Sequence, residues 1–200
     1  MVGIYLSAHP LDQFYLELTY GCNTKLADME KKASELDQEV TFGGLITSYE
    51  EKEARSGNKY GKIVIEDYTG KYDLMLFGNN YIEYNKFGIK GLAIMVKGVF
   101  RKGRFNDRIS FNIASITPLD DVKGKLLSNL TIQVPEDRFA DLSPLKESMT
   151  ESTENRCSLN FRIFTNDRKH YVDMRSQYKI PINKQVLKKL ESMEMEFSIN

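Results

Sequence analysis

Two short stretches of this chain gather cations beside aromatic rings. Arg55 and Lys59 bracket one polar loop, with Tyr60 at its exit. Arg101, Lys102, Arg104 and Arg108 surround Phe105 in another. Guanidinium and ammonium groups neutralise phosphates, and aromatic rings stack on unpaired bases, so this pairing suits a single-stranded nucleic acid. No comparable grouping suits catalysis. His9, His170, Cys22 and Cys157 are scattered and fit no metal-ligand spacing. Nucleophile elbows, phosphate-cradling loops and dinucleotide fingerprints are missing. Gly43-Gly44 lies inside a strand-like run rather than ahead of a helix. Glu50-Glu51 and Asp120-Asp121 are neighbours that would point apart on a strand. The expectation is a binding chain with no catalytic site, no metal and no cofactor.

Those loops need a scaffold, and the pattern around them describes one. From Glu39 onward the apolar period becomes two. Residues 40–49 read as a long strand holding the glycine pair, as in a strand that bulges or coils to turn a barrel corner. Strands follow at 61–67 and 72–77, joined by the tight turn Thr69-Gly70. Asn79 or Asn80 is placed to cap a short helix carrying Tyr81, Ile82 and Phe87. Strands at 92–100 and 108–116 complete the set. Three strands, a helix and two strands form the element order of a five-stranded OB-fold barrel. On that fold the outer face of the second and third strands meets ligand. With Ile63, Ile65, Leu74 and Leu76 inside, Lys62, Val64, Asp73, Met75 and Phe77 point out. Tyr60 and Phe77 become the candidate stacking residues, flanked by Arg55, Lys59, Lys62, Arg101, Lys102, Arg104, Phe105 and Arg108. Glu50, Glu51 and Glu53 beside the first loop predict weak, salt-sensitive binding.

The flanks read differently. Leu11, Phe14, Tyr15 and Leu18 recur at helical spacing after the His9-Pro10 break, with Gly21 placed to end that helix. The opening run Val2-Gly3-Ile4-Tyr5-Leu6 has no polar lead-in, so the natural protein is expected to extend upstream. Residues 1–37 are read as the end of an upstream domain, 38–119 as the OB domain, 120–128 as a polar linker and 129–200 as a second domain. In that last part Leu130–Val134, Cys157–Phe164, His170–Val172 and Met195–Ile199 are strand-like. Leu142, Leu145 and Met149 mark one helix, and Asn183 caps another bearing Val186, Leu187 and Leu190. The order is β-α-β-β-α-β, an α+β sandwich resembling the split βαβ class. The whole is mainly β with an α+β part.

Bulk properties narrow the function. Lys plus Arg and Asp plus Glu each number 28, so no basic tail coats nucleic acid and any contact must be local. Tyr and Phe number 11 each and Trp is absent, in keeping with β-rich domains. No run is long and apolar enough for a bilayer, and no secretory leader is seen. Distant cysteines fit reduced thiols, so the expected location is the cytoplasm.

The segment Val2-Gly3-Ile4-Tyr5-Leu6-Ser7-Ala8-His9-Pro10-Leu11-Asp12 resembles a signature of the bacterial DNA polymerase III alpha subunit. Arg55-Ser56-Gly57-Asn58-Lys59, Glu66-Asp67-Tyr68-Thr69-Gly70 and Leu76-Phe77 resemble that family's OB region in order and spacing. The resemblance implies the C-terminal region of that subunit. It implies an OB domain that handles single-stranded template DNA and a terminal domain that binds the clamp-loader tau subunit, among other replisome subunits. The polymerase carboxylates, the histidinol-phosphatase-like domain and the main clamp-binding motif would lie upstream. One departure stands out: Lys62 occupies a position that is apolar or aromatic in several members, so a phosphate contact is expected there instead of stacking. Two alternatives stay open. One is an anticodon-binding OB domain of a tRNA synthetase, and the other a protein-interaction module that binds no nucleic acid.

Overall fold

A computed structural model describes residues 9–103, 107–123, 125, 128–148 and 156–199. The chain divides into two compact units, Met1–Lys123 and Gly124–Asn200.

In the first unit, a 3-10 turn at Pro10–Phe14 leads into helix α1 (Tyr15–Tyr20), and a second at Leu26–Asp28 leads into α2 (Met29–Ala33). Strands β1 (Glu39–Glu53), β2 (Lys59–Glu66) and β3 (Lys71–Leu76) follow, then α3 (Asn79–Tyr84), β4 (Ala93–Lys102), β5 (Ile109–Pro118) and the single turn α4 (Leu119–Val122). The five strands form one antiparallel sheet in the order β3-β2-β1-β4-β5, and the OB-fold is present as the sequence predicts. β1 makes this possible by serving both halves of the sheet. Its first part pairs with β4 and its second with β2, and Leu45 pairs with both. The glycine pair sits at that crossover. A Cβ on Gly44 would lie 2.6 Å from the Glu66 carbonyl oxygen, so the strands approach this closely only over a bare backbone. The extra residue at Thr47 then bulges β1 against β2.

Between the edge strands β3 and β5, side chains span the core. Tyr72 of β3 and Phe111 of β5 have ring centroids 6.3 Å apart, and each stands 5.6 Å from Phe42 of β1. Ala114 is the extra residue of a second bulge, in β5, and its carbonyl accepts the Tyr84 hydroxyl at 3.5 Å.

The lead-in is part of this unit. Leu26 and Met29 belong to the barrel core, and Leu11 and Phe14 are buried. Asn23 lines the upper edge of β1, donating to the Glu39 carbonyl and accepting from the Thr41 amide. Of residues 1–37, expected to end an upstream domain, those described from His9 onward pack on the barrel. One difference from the sequence reading is local. Neither Asn79 nor Asn80 caps α3; the cap position is Gly78 at φ 52°, a left-handed backbone that glycine takes without cost.

The second unit holds β6 (Asn129–Pro135), a 3-10 segment Glu136–Leu142, α5 (Leu145–Ser148), β7 (Arg156–Phe164), β8 (Tyr171–Pro181), α6 (Lys184–Ser192) and β9 (Glu196–Ile199). Asn183 caps α6 as expected, accepting from the Val186 amide at 2.9 Å. Met149 falls outside the described residues. The element order matches the sequence reading but the strand order, β8-β7-β6-β9, corrects the split-βαβ expectation. β6 and β7 are hydrogen-bonded neighbours running parallel, with no strand between them. One-dimensional periodicity carries no information on which strands become neighbours, so the two arrangements look alike in sequence. Leu130, Ile132, Val134, Leu159 and Phe161 face the helices with Leu142, Leu145, Val186, Leu187 and Leu190, all buried.

Candidate nucleic-acid interface

Strand β2 alternates between buried and partly exposed residues, which places Ile63 and Ile65 in the core and Tyr60, Lys62 and Val64 outside. β3 repeats the pattern, with Leu74 and Leu76 inside and Asp73 and Met75 outside. Register then joins the outer residues: Lys62 faces Met75 and Glu50, Val64 faces Asp73 and Ser48, and Tyr60 faces Lys52.

At one end of this face stands the aromatic step. Tyr60 and Phe77 lie 5.3 Å apart at 32°, and Phe77 keeps 57% of its surface in solvent. The rings already touch, so a base would stack on the pair and not between them.

The rest of the face is a ladder of ion pairs. Lys52 Nζ meets Glu50 Oε2 at 2.7 Å, Lys62 Nζ meets Asp73 Oδ2 at 2.6 Å, and Lys71 Nζ meets Glu66 Oε2 at 2.9 Å. Hydrogen bonding to Lys52 lowers the Glu50 pKa, and the same bond raises that of Lys52. The face is close to neutral, and a phosphate must compete with a carboxylate for each lysine. Lys62 is half-buried and held across the sheet by Asp73.

Of the loop cations, Arg55 is exposed at the tip of the β1–β2 turn and has no polar partner among the described residues. Lys59 is bound to Glu51 Oε1 at 2.8 Å, whose other oxygen accepts the Tyr81 hydroxyl at 2.5 Å. Glu51 thus ties the hairpin to α3, and its pKa is lowered by these two bonds, that from Lys59 first. On the other side, β4 runs further than the sequence suggests and takes in Arg101 and Lys102. Successive strand residues point to opposite faces. Arg101 pairs with Asp37 at 3.2 Å and Lys102 with Asp107 at 3.0 Å. Arg108 is exposed just before β5, where its carbonyl accepts the Gly103 amide. Arg104 and Phe105 lie outside the described residues. The structure therefore brings Tyr60, Lys62 and Phe77 together, with Arg55 and Lys59 on the adjoining hairpin, and it splays Arg101 and Lys102 apart.

A cluster that sequence reasoning treated only as a signature has a structural role. Tyr68, in the β2–β3 turn, donates its hydroxyl to Asp12 Oδ1 at 2.6 Å and lies 4.7 Å from the His9 ring. Burial first, and then the Asp12 hydrogen bond, push its pKa up to about 12. In the same turn Asp67 Oδ1 accepts from the Thr69 amide and hydroxyl and from the Gly70 amide, while Oδ2 accepts the Leu26 amide at 2.9 Å. The two blocks that carry the family resemblance are thus in contact with each other. The signal was available in the sequence, as an Asp two residues ahead of Thr-Gly, but its target 41 residues upstream was not.

Residues 40–119 match the OB-fold nucleic acid binding domain. Among curated relatives, the DNA polymerase III subunit alpha of Haemophilus influenzae is 25% identical over 68% of this chain and 12% of its own length. That of Borreliella burgdorferi is 27% identical over 78% of this chain and 14% of its own length, and that of Escherichia coli 24% over 74% and 13%. The chain thus matches about an eighth of these relatives' length. A solved mitochondrial single-stranded DNA binding protein of S. cerevisiae is 22% identical over 41% of this chain and 95% of its own, at a TM-score of 0.32.

Proposed function

We propose that this chain is the C-terminal region of a bacterial DNA polymerase III alpha subunit, whose OB barrel holds single-stranded template DNA. The alpha-subunit relatives supply the context. The observation that carries the reading is the Tyr60–Phe77 step, open to solvent on the outer face of β2 and β3 and next to the Arg55 hairpin. In this reading the bases stack on the step, at about 1–3 kcal/mol each. Arg55 holds a phosphate, Lys59, Lys62, Arg101 and Lys102 contribute in proportion to how easily their carboxylates release them, and Arg104 and Arg108 are further phosphate contacts. Phe105 is a further stacking candidate. Because Lys59, Lys62, Arg101 and Lys102 are all ion-paired, affinity is modest. The catalytic residues of the whole polymerase lie in other parts of the protein, and the chain acts in the cytoplasm beside the other replisome subunits.

Fluorescence anisotropy of labelled oligo-dT across a salt series, beside a duplex control, tests this. Saturable binding that prefers the single strand and weakens with salt is the expected result. No binding at high protein concentration and low salt would remove template handling from the fragment's roles.

One observation favours protein docking as a second role. Arg101 and Lys102 point to opposite faces, so they do not form one phosphate track. In the second unit, Phe139, Leu142, Leu145, Phe161 and Tyr178 line a largely apolar groove. We assign this groove to the tau subunit of the clamp loader, the partner that the alpha-subunit resemblance implies. Phe139→Asp is expected to abolish tau capture by the chain and leave oligo-dT binding unchanged.

A further inference from the structure

We propose that the uncovered face of the four-stranded sheet in the second unit is a separate surface for single-stranded nucleic acid. Pairing assigns this face without ambiguity. Directly opposed strand residues share a face, and so do residues two apart. Ser158, Asn160, Arg162 and Phe164 on β7 oppose Lys179, Arg175, Asp173 and Tyr171 on β8. Thr131 and Gln133 of β6 continue the surface alongside. The other face of the sheet is the one packed on the helices, so this one is left open.

Its chemistry differs from that of a merely solvated sheet. Arg162 is held flat by both oxygens of Asp173, at 2.7 and 2.9 Å, and its guanidinium lies 4.6 Å from the Tyr171 ring centroid. Tyr171 is 60% exposed. Arg168, tethered to Glu196 at 3.1 Å, lies 5.5 Å from the Phe164 centroid. Two planar cations are thus fixed against two aromatic rings on one flat surface. Flat π surfaces of this kind accept any unpaired base, because every base has a stacking face. Further along β8, Arg175 and Lys179 are exposed and have no polar partner among the described residues. They are free to meet phosphates, unlike the paired lysines of the barrel face.

The distribution of apolar surface points the same way. Val172 and Met174, 62% and 42% exposed, oppose Ile163 and Phe161 and so belong to the helix-bearing side. A protein partner seeking apolar anchors would find them there. The open face offers cations, amides, hydroxyls and rings, the complement of a phosphodiester chain with unstacked bases.

The test uses the whole chain. An oligo-dT carrying 5-iododeoxyuridine is photo-crosslinked to the unaltered protein at low salt and the adducts are mapped. Adducts at Tyr171 or Phe164 are expected beside those on the barrel. Binding is then measured in a Tyr60→Ala/Phe77→Ala background, which disables the barrel face. Residual binding should fall at least about fivefold on adding Tyr171→Ala. Adding Arg175→Ala/Lys179→Ala should flatten the salt slope by about 1.4, at about 0.7 per phosphate. Lys184→Ala/Lys188→Ala, on α6, removes equal charge from the helical side and should leave the slope unchanged. The proposal is overturned if adducts are confined to residues 9–123, if the barrel variant abolishes all binding, or if the α6 pair flattens the slope equally.

Discussion

At the scale of single residues, carboxylates decide how this chain uses its cations. Glu50 and Glu51 are held below the usual carboxylate range by hydrogen bonds from Lys52 and Lys59, and these lysines are held above theirs. A depressed carboxylate keeps its charge until pH falls through the folded value, which here lies below the ordinary value of about 4.3. A raised lysine keeps its charge to above about 10.4. The pairs are therefore intact throughout the neutral range, and oligo-dT affinity should be flat from about pH 6 to pH 9. An anisotropy titration at several pH values checks this; a step within that window would mean that another group controls the face.

The thiols give a second residue-scale expectation. Burial pushes Cys22 up to about 12 and Cys157 to about 11, in both cases as the largest cause. With an ordinary thiol near 8.5, the thiolate fraction at pH 8 is lower by a factor on the order of 10² to 10³. Alkylation of the native chain should be slower than that of the urea-unfolded chain by a similar factor. The sign of the linkage follows: because both groups bind their proton more tightly when folded, stability is complete below about pH 8.5 and declines as pH rises towards the folded values.

At the scale of elements, one turn and a crossover hold the barrel. Asp67 closes the β2–β3 turn and holds the lead-in through the Leu26 amide. Asp67→Ala leaves those amides without their charged acceptor and should cost roughly 2–3 kcal/mol in urea unfolding. Tyr68→Phe removes only the bond to Asp12 and should cost less, about 1 kcal/mol. Gly44→Ala drives a methyl towards the Glu66 carbonyl and the Ile65 side chain, 2.6 and 2.7 Å from its Cβ. A backbone oxygen cannot move aside as a side chain end can, so a loss of about 2–3 kcal/mol is expected. A loss under 0.5 kcal/mol would show that β1 can cross between its partners at a greater distance.

For the molecule as a whole, balanced charge becomes balanced pairing. The opposite charges that cancel in composition also meet across the barrel face, so net neutrality is reproduced locally and not only on average. Long-range steering of a polyanion is correspondingly slight. Each phosphate contact on the barrel face, Arg55 first among them, should add about 0.7 to the salt slope for single strands. Arg101→Ala with Arg104→Ala tests the remaining loop: weaker binding with a flatter slope and unchanged unfolding is expected, and unchanged binding would remove the β4–β5 loop from the interface.

Local chemistry was enough to specify the elements. Alternation over 61–67 and 72–77 names the buried residues because a pleated strand has two faces and only one can meet the core. A glycine pair within a strand marks close backbone approach, and Asn183 announces a helix start, for reasons confined to a few residues. What these residues meet was decided only in three dimensions. Arg101 finds Asp37 from 64 positions away and Tyr68 finds Asp12 from 56, and no local pattern encodes either partner. For the same reason the sequence reading counted cations on two loops where the fold provides mostly ion pairs. Strand order in the second unit is likewise tertiary: β6 and β7 became parallel neighbours, and that choice left open the face bearing Arg162 and Tyr171. Periodicity sets which side of a strand is buried, whereas packing between distant segments sets which exposed side gains neighbours and which remains available to a ligand.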